Sequence, residues 1–226
     1  MAVKQKQQKR QTKDSNYDTA WKDAIEHYFP LFMLFFFPAI YAEIDWSRPY
    51  EFMDKELQQV NPDSKTGKRL ADMLVKVWRK DGQEAFVLVH VEVQNQEQEE
   101  FPERMYVYSY RFFDHFHRPV VSLAILGDSN PDWRPSGYGY ELWGTRILHD
   151  FNWKKLLDYE AQWEMLEKSD NPFALIVMIH LRTLSTQGKA EERLEWKLRI
   201  VKGLYERGMA EEDIIQMFRF MDWIMT

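Results

Sequence analysis

The chain has no cysteine. That excludes a disulfide framework and any thiolate metal site, and it is compatible with a cytoplasmic protein. Long apolar runs are missing too. The most apolar segment, residues 29–40, is only 12 residues long and contains Pro30 and Pro38, whereas a membrane span needs about 20 apolar residues. A membrane protein is therefore not expected, and the cleavage-site features of a secretory signal are lacking. There is no internal repeat and no zinc-ligand spacing. Net positive charge is absent as well: the formal charge is −6, which by itself does not recommend a nucleic-acid-binding protein.

What is present is a globular composition, 45% hydrophobic and 29% charged, with nine Trp, 11 Tyr and 15 Phe to fill an aromatic interior. At 226 residues the chain suffices for one large domain, or for a smaller domain with a helical appendage. The positive charge is gathered into two sets. Lys4, Lys6, Lys9, Arg10 and Lys13 make a basic tail without apolar period over 1–15, expected to be disordered. Lys65, Lys68, Arg69, Lys76, Arg79 and Lys80 surround a pair of β-rich runs. Phosphate contact is the functional reading of both sets; a solvated tail and an exposed hairpin edge are the plain one.

Those β-rich runs carry the main signal. The first is Ala71-Asp72-Met73-Leu74-Val75-Lys76-Val77 and the second Phe86-Val87-Leu88-Val89-His90-Val91-Glu92-Val93-Gln94. Side chains alternate along a strand, so Val87, Val89, Val91 and Val93 form one apolar stripe. The opposite face starts apolar with Phe86 and Leu88 and ends His90, Glu92, Gln94. An acid there requires a hydrogen-bond partner, a cation or a metal. Two registers are open. A two-residue Asp81-Gly82 loop would set Asp72 opposite Val91, on the wrong face. A three-residue loop Lys80-Asp81-Gly82, with Gly82 in the left-handed conformation, pairs Arg79 with Gln83 and sets Asp72 across from His90, diagonal to Glu92. We take the second, because it gathers the unexplained polar groups within reach of one shared ion.

An Asp on one strand followed by Glu-x-Lys or a variant on the next resembles the metal site of the PD-(D/E)xK nuclease superfamily. His90-Val91-Glu92-Val93-Gln94, with Gln in place of the usual Lys, is similar more narrowly to the recombination-promoting nuclease group (Rpn or YhgA-like transposases). The resemblance extends to Ile44-Asp45-Trp46, Phe52-Met53-Asp54-Lys55-Glu56-Leu57, Arg104-Met105-Tyr106-Val107-Tyr108, Asn171-Pro172-Phe173-Ala174 and Gly203-Leu204-Tyr205-Glu206-Arg207-Gly208. It implies an α/β (α+β) mixed sheet with a restriction-endonuclease-like core over 16–150, flanked by helices, and a helical region over 151–226. It also implies a Mg²⁺- or Mn²⁺-dependent DNA endonuclease acting in recombination, mobile-element biology or defence.

On that resemblance Asp72 and Glu92 are the metal ligands, with Gln94 as a catalytic group that orients water and Glu56 as an upstream acid. Gln94 departs from the superfamily's Lys, because a neutral amide neither loses a proton nor supplies charge. Lys76, His90, Arg104 and Tyr108 are candidates for phosphate or supporting contacts; for His90 and Tyr108 the plain reading is a core residue. DNA is the implied partner, and the aromatic helical C-terminal half would suit a homodimer. The alternative is a catalytically weak or inactive nuclease-fold module that binds a protein partner or itself.

Local patterns set further expectations: an amphipathic helix over 17–28, a short strand over 56–60, a helix over 97–116, a strand over 119–126 and an edge strand within 138–148. After about residue 153 the period becomes helical. Asn171 then caps a helix that Pro172 begins; a third helix follows from about 189, and a fourth over 211–225 buries Ile214, Met217, Phe218 and Met221.

Overall fold

A computed structural model describes residues 2–53, 55, 71–92, 99–206 and 210–225; for 2–16, 71–72, 88–92 and 206 it describes the backbone alone. The protein is α/β with a mixed sheet, and its contacts group it into two units: 36–155, and 1–35 together with 156–226. Residues 16–35, placed with the sheet by sequence, thus group with the C-terminal helices. The backbone is already helical from Ala2, through the segment expected as a disordered tail.

The sheet unit contains a short helix, α2 (Pro38–Glu43), and five strands in the order β1-β2-β3-β4-β7. These are β1 (Glu51–Phe52), β2 (Ala71–Trp78), β3 (Glu84–Glu92), β4 (Val120–Leu126) and β7 (Asn152–Lys155). β1, β2 and β3 pair antiparallel, while β3, β4 and β7 run parallel. A parallel neighbour requires a crossover, and α3 (Phe101–Phe116) provides it between β3 and β4. Pro102 suits the first turn of α3, and His117, in the left-handed conformation, ends it. Its apolar stripe packs on one sheet face in two clusters. Tyr108 and Phe112 meet Leu74, Phe86 and Met53; Phe101 and Met105 meet Ala124, Leu126 and Phe151. Met73, Val75, Val77, Val87, Leu123 and Ile125, of the other parity, are also buried.

Two expectations are corrected here. The region 138–148 is not one edge strand. It is a hairpin of β5 (Gly137–Leu142) and β6 (Thr145–Asp150), which form a sheet of their own. Trp143 and Gly144 both take positive φ, 51° and 84°, and close a two-residue turn that lacks the Asn-Gly signal. Nor does the chain turn helical at 153. It remains extended to Lys155 as the sheet's edge and then passes through a 3-10 helix, Leu156–Gln162.

In the helical unit, α1 (Ala2–Phe36) kinks at Tyr28, two residues before Pro30, whose ring and missing N–H disrupt the helical ladder. Trp21 and Phe32 of α1 contact Phe173 of α5 (Pro172–Ser185), with ring centroids 6.5 and 5.3 Å apart. Nearly every residue of α5 is buried, as its all-round hydrophobicity demands. Asn171 caps it, accepting from the Phe173 amide at 2.9 Å, as expected. α4 (Trp163–Lys168), α6 (Ala190–Glu206) and α7 (Glu211–Ile224) complete the unit. In α7 it is Phe220, with Ile214, Met217 and Met221, that is buried, while Phe218 is half-exposed. Among the described residues no helix is long and apolar enough to cross a membrane. The short strand expected over 56–60 lies outside the described residues.

Candidate functional site

The turn between β2 and β3 decides which polar positions share one end of the ladder. The Arg79 amide donates to the Gln83 carbonyl at 2.8 Å and the Gly82 amide to the Arg79 carbonyl at 2.9 Å. Gly82 sits at φ +84°, where a side chain would be strained. The three-residue loop is therefore the one that forms, and the Asp81 carboxylate supports it by accepting from the Gln83 amide at 3.0 Å. From this turn the register follows without a slip: Trp78 opposite Glu84, Leu74 opposite Leu88, Asp72 opposite His90. Glu92 lies two residues beyond His90, at the same parity. Asp72, His90 and Glu92 are thus neighbouring ladder positions, fixed by backbone pairing alone.

The parallel strands extend this row. His90 pairs with Ala124 and Glu92 with Leu126, and Ala124 and Leu126 pack beneath Phe101 and Met105 in the first turns of α3. Arg104, expected as a phosphate or supporting group, comes from those same turns, so the structure sets it over this end of the sheet. Its guanidinium lies 5.5 Å from the centroid of the Phe101 ring.

The other candidates lie elsewhere. Lys76 is four residues from Asp72, roughly 13 Å along an extended strand. There it faces Glu51 across the β1–β2 ladder and forms an ion pair of 2.6 Å. Tyr108 is buried in the cluster of Leu74, Phe86 and Phe112. Asp45, within a motif that carries the resemblance, accepts from the Ser47 hydroxyl at 2.6 Å and from its amide at 3.1 Å. These bonds hold its carboxyl below the ordinary range. Glu56 and Gln94 lie outside the described residues. Among the described residues no group of three or more His, Asp or Glu side chains gathers into a metal-holding cluster.

Sequence reasoning missed a buried ion pair on the same row. Leu126, the partner of Glu92, pairs on its other side with Lys155 at the end of β7. The Lys155 side chain is 0% exposed and that of Asp128 2%. The ammonium donates to both Asp128 carboxylate oxygens at 2.6 Å and to the Trp133 carbonyl at 3.3 Å. The Asn130 amide donates to the same carboxylate at 2.9 Å. A buried charge persists only when paired and hydrogen-bonded, and here both members are. The one available hint was a lysine at the end of an otherwise amphipathic run; nothing local named its partner.

Burial also acts on the hairpin. His149, half-buried beside Tyr106 and Phe151 at ring distances of 5.9 and 6.3 Å, has its pKa lowered by desolvation, with the Asp150 carboxylate opposing.

Asp72, His90 and Glu92 thus hold adjacent ladder positions, with His90 and Glu92 at the carboxyl end of β3 and Arg104 on the helix that follows it. Carboxylates are hard oxygen donors of the kind that Mg²⁺ accepts, one or two at a time with waters completing its shell. The donor chemistry of Asp72 and Glu92 fits such an ion. Compared with family models, curated proteins and solved structures, the chain matches none of them.

Proposed function

We propose that the protein is a metal-dependent DNA endonuclease with a restriction-endonuclease-like core, hydrolysing phosphodiesters in recombination, mobile-element biology or defence. One observation carries the reading: the Arg79–Gln83 turn sets Asp72 opposite His90, with Glu92 next along the same face. A strand pair selected only for burial has no use for two acids and a histidine at one end of its ladder.

Asp72 and Glu92 would hold Mg²⁺ or Mn²⁺. When bound, such an ion acidifies a coordinated water and neutralises charge on the phosphate. The chain's own groups do the remainder. Arg104 would hold a non-bridging phosphate oxygen, because a guanidinium presents several donors in one plane. His90 would accept a proton from, or orient, the attacking water. Gln94 would position that water through its amide but cannot take its proton, so slow turnover is expected.

The test is nicking of supercoiled plasmid by the purified protein in Mg²⁺, Mn²⁺ or EDTA, beside Glu92→Ala. Nicking that needs the metal and disappears in the variant supports the reading. Folded wild-type protein without activity in either metal refutes it. Cleavage that survives Glu92→Ala moves the site away from this ladder.

A second reading, a nuclease-fold interaction module, is favoured by the apolar side chains that the β5–β6 hairpin leaves in solvent. It becomes the better account if the plasmid stays intact.

A further inference from the structure

The β5–β6 hairpin is a two-stranded sheet, and among the described residues no third strand joins either edge. The ribbon leans on Tyr106 of α3, on which Tyr138 stacks, but an open edge strand remains a template for another chain. Proteins blunt such edges with charged side chains, proline or a bulge. β6 reads Thr145-Arg146-Ile147-Leu148-His149-Asp150 and pairs with β5 at every position, so it has neither proline nor bulge, and its two charges, Arg146 and Asp150, are of opposite sign. At its centre Leu148 is 64% exposed, and at the turn Trp143 is 97% exposed. Trp143 is also held at φ 51°, a conformation unusual for a bulky side chain.

The strand is complementary to itself. Set two copies antiparallel about Leu148 and that leucine meets the partner's Leu148. Ile147 then lies across from the partner's His149, and Arg146 from the partner's Asp150, an opposite-charge pair formed twice. Opposite charges directly across a ladder stabilise it and like charges oppose it. Within its own hairpin Asp150 faces only Gly137, so the second copy would supply the cation that this register position lacks. The β5 edge offers no such match, because Gly137-Tyr138-Gly139-Tyr140-Glu141-Leu142 contains no cation, and Tyr138 is stacked on Tyr106 of α3 at 5.3 Å.

We propose that β6 is a self-association edge, through which two copies of the chain join into one antiparallel four-stranded sheet. The assignment rests on the hairpin alone and holds whether or not the protein cleaves DNA. It places the contact on the sheet unit, not on the helical C-terminal region from which a homodimer was first expected.

The experiment is a mass measurement by light scattering on the full chain across a concentration series, with near-ultraviolet circular dichroism to confirm folding. Wild type should approach twice the 27.4 kDa chain mass. Leu148→Lys, Arg146→Asp and Asp150→Arg should each return the single-chain mass, since all three positions are exposed and none supports the core. The double exchange Arg146→Asp with Asp150→Arg restores opposite charges across the two-fold and should recover the doubled mass. A wild type that stays at the single-chain mass through the high micromolar range overturns the proposal. So does a dimer that Leu148→Lys leaves intact, or a double exchange that fails to restore what its single changes broke.

Discussion

Replacing Asp128 by Leu removes the counter-ion of an ammonium that has no route to solvent. Lys155 would keep its charge among Trp133 and the β4–β7 ladder, with the Trp133 carbonyl as its remaining acceptor at 3.3 Å. Two unit charges about 3 Å apart attract by about 5–6 kcal/mol at an effective dielectric near 20. Breaking one side of a buried pair typically costs about 3–5 kcal/mol, and the expected loss for Asp128→Leu lies there. Lys155→Met should fall in the same range, because it strands the carboxylate. The double variant exchanges the pair for two apolar side chains and should cost less than either single change. Hydrogen exchange on peptides from β4 and β7 reads this locally, as a loss of protection of between about two and four orders of magnitude in the single variants. Single-variant losses below about 1 kcal/mol, or losses that simply add in the double variant to within about 0.5 kcal/mol, would refute the reasoning. Either result would mean that the pair is solvated in the folded protein.

Gly82→Ala tests the turn that sets the site's register. Its Cβ meets nothing within 4 Å, so the cost is conformational, about 1–2 kcal/mol, and Gly82→Asn should cost less; equal urea midpoints for all three proteins would contradict the turn as described. His149 makes stability pH-dependent. Its folded pKa lies below the unfolded value, so the unfolded chain binds the extra proton and stability falls as pH drops below about 6.5. Thermal melts at pH 5 and 7 should show a drop on acidification that His149→Phe reduces, and a variant with the full wild-type drop would rule His149 out as its source.

How much was legible in the chain depends on how far apart the interacting residues lie. The α3 stripe of Phe101, Met105, Tyr108 and Phe112, the Asn171 cap and the β2–β3 register are properties of short stretches: a 3.6-residue period, one side chain reaching one amide, one glycine at positive φ. A period does not say which of its members does chemistry, and Tyr108, a candidate for the site, went to the core with the rest of its stripe. By sequence the hairpin reads as a single strand, because a Trp-Gly turn carries none of the usual signal, although Gly144 at φ 84° supplies the same freedom.

Composition, helical and strand periods and turn chemistry by themselves determined a mixed α/β chain and narrowed the β2–β3 ladder to two registers, since each arises from residues that are neighbours or joined by one tight turn; the three-residue loop with Gly82 at positive φ selects the one that aligns Asp72 with His90. The tertiary structure alone decided that residues 16–35 group with the C-terminal helices, that Lys76 is paired with Glu51, and that Lys155 finds Asp128 27 residues away. Burial and charge pairing depend on which distant surfaces close over a side chain, and no local pattern encodes that.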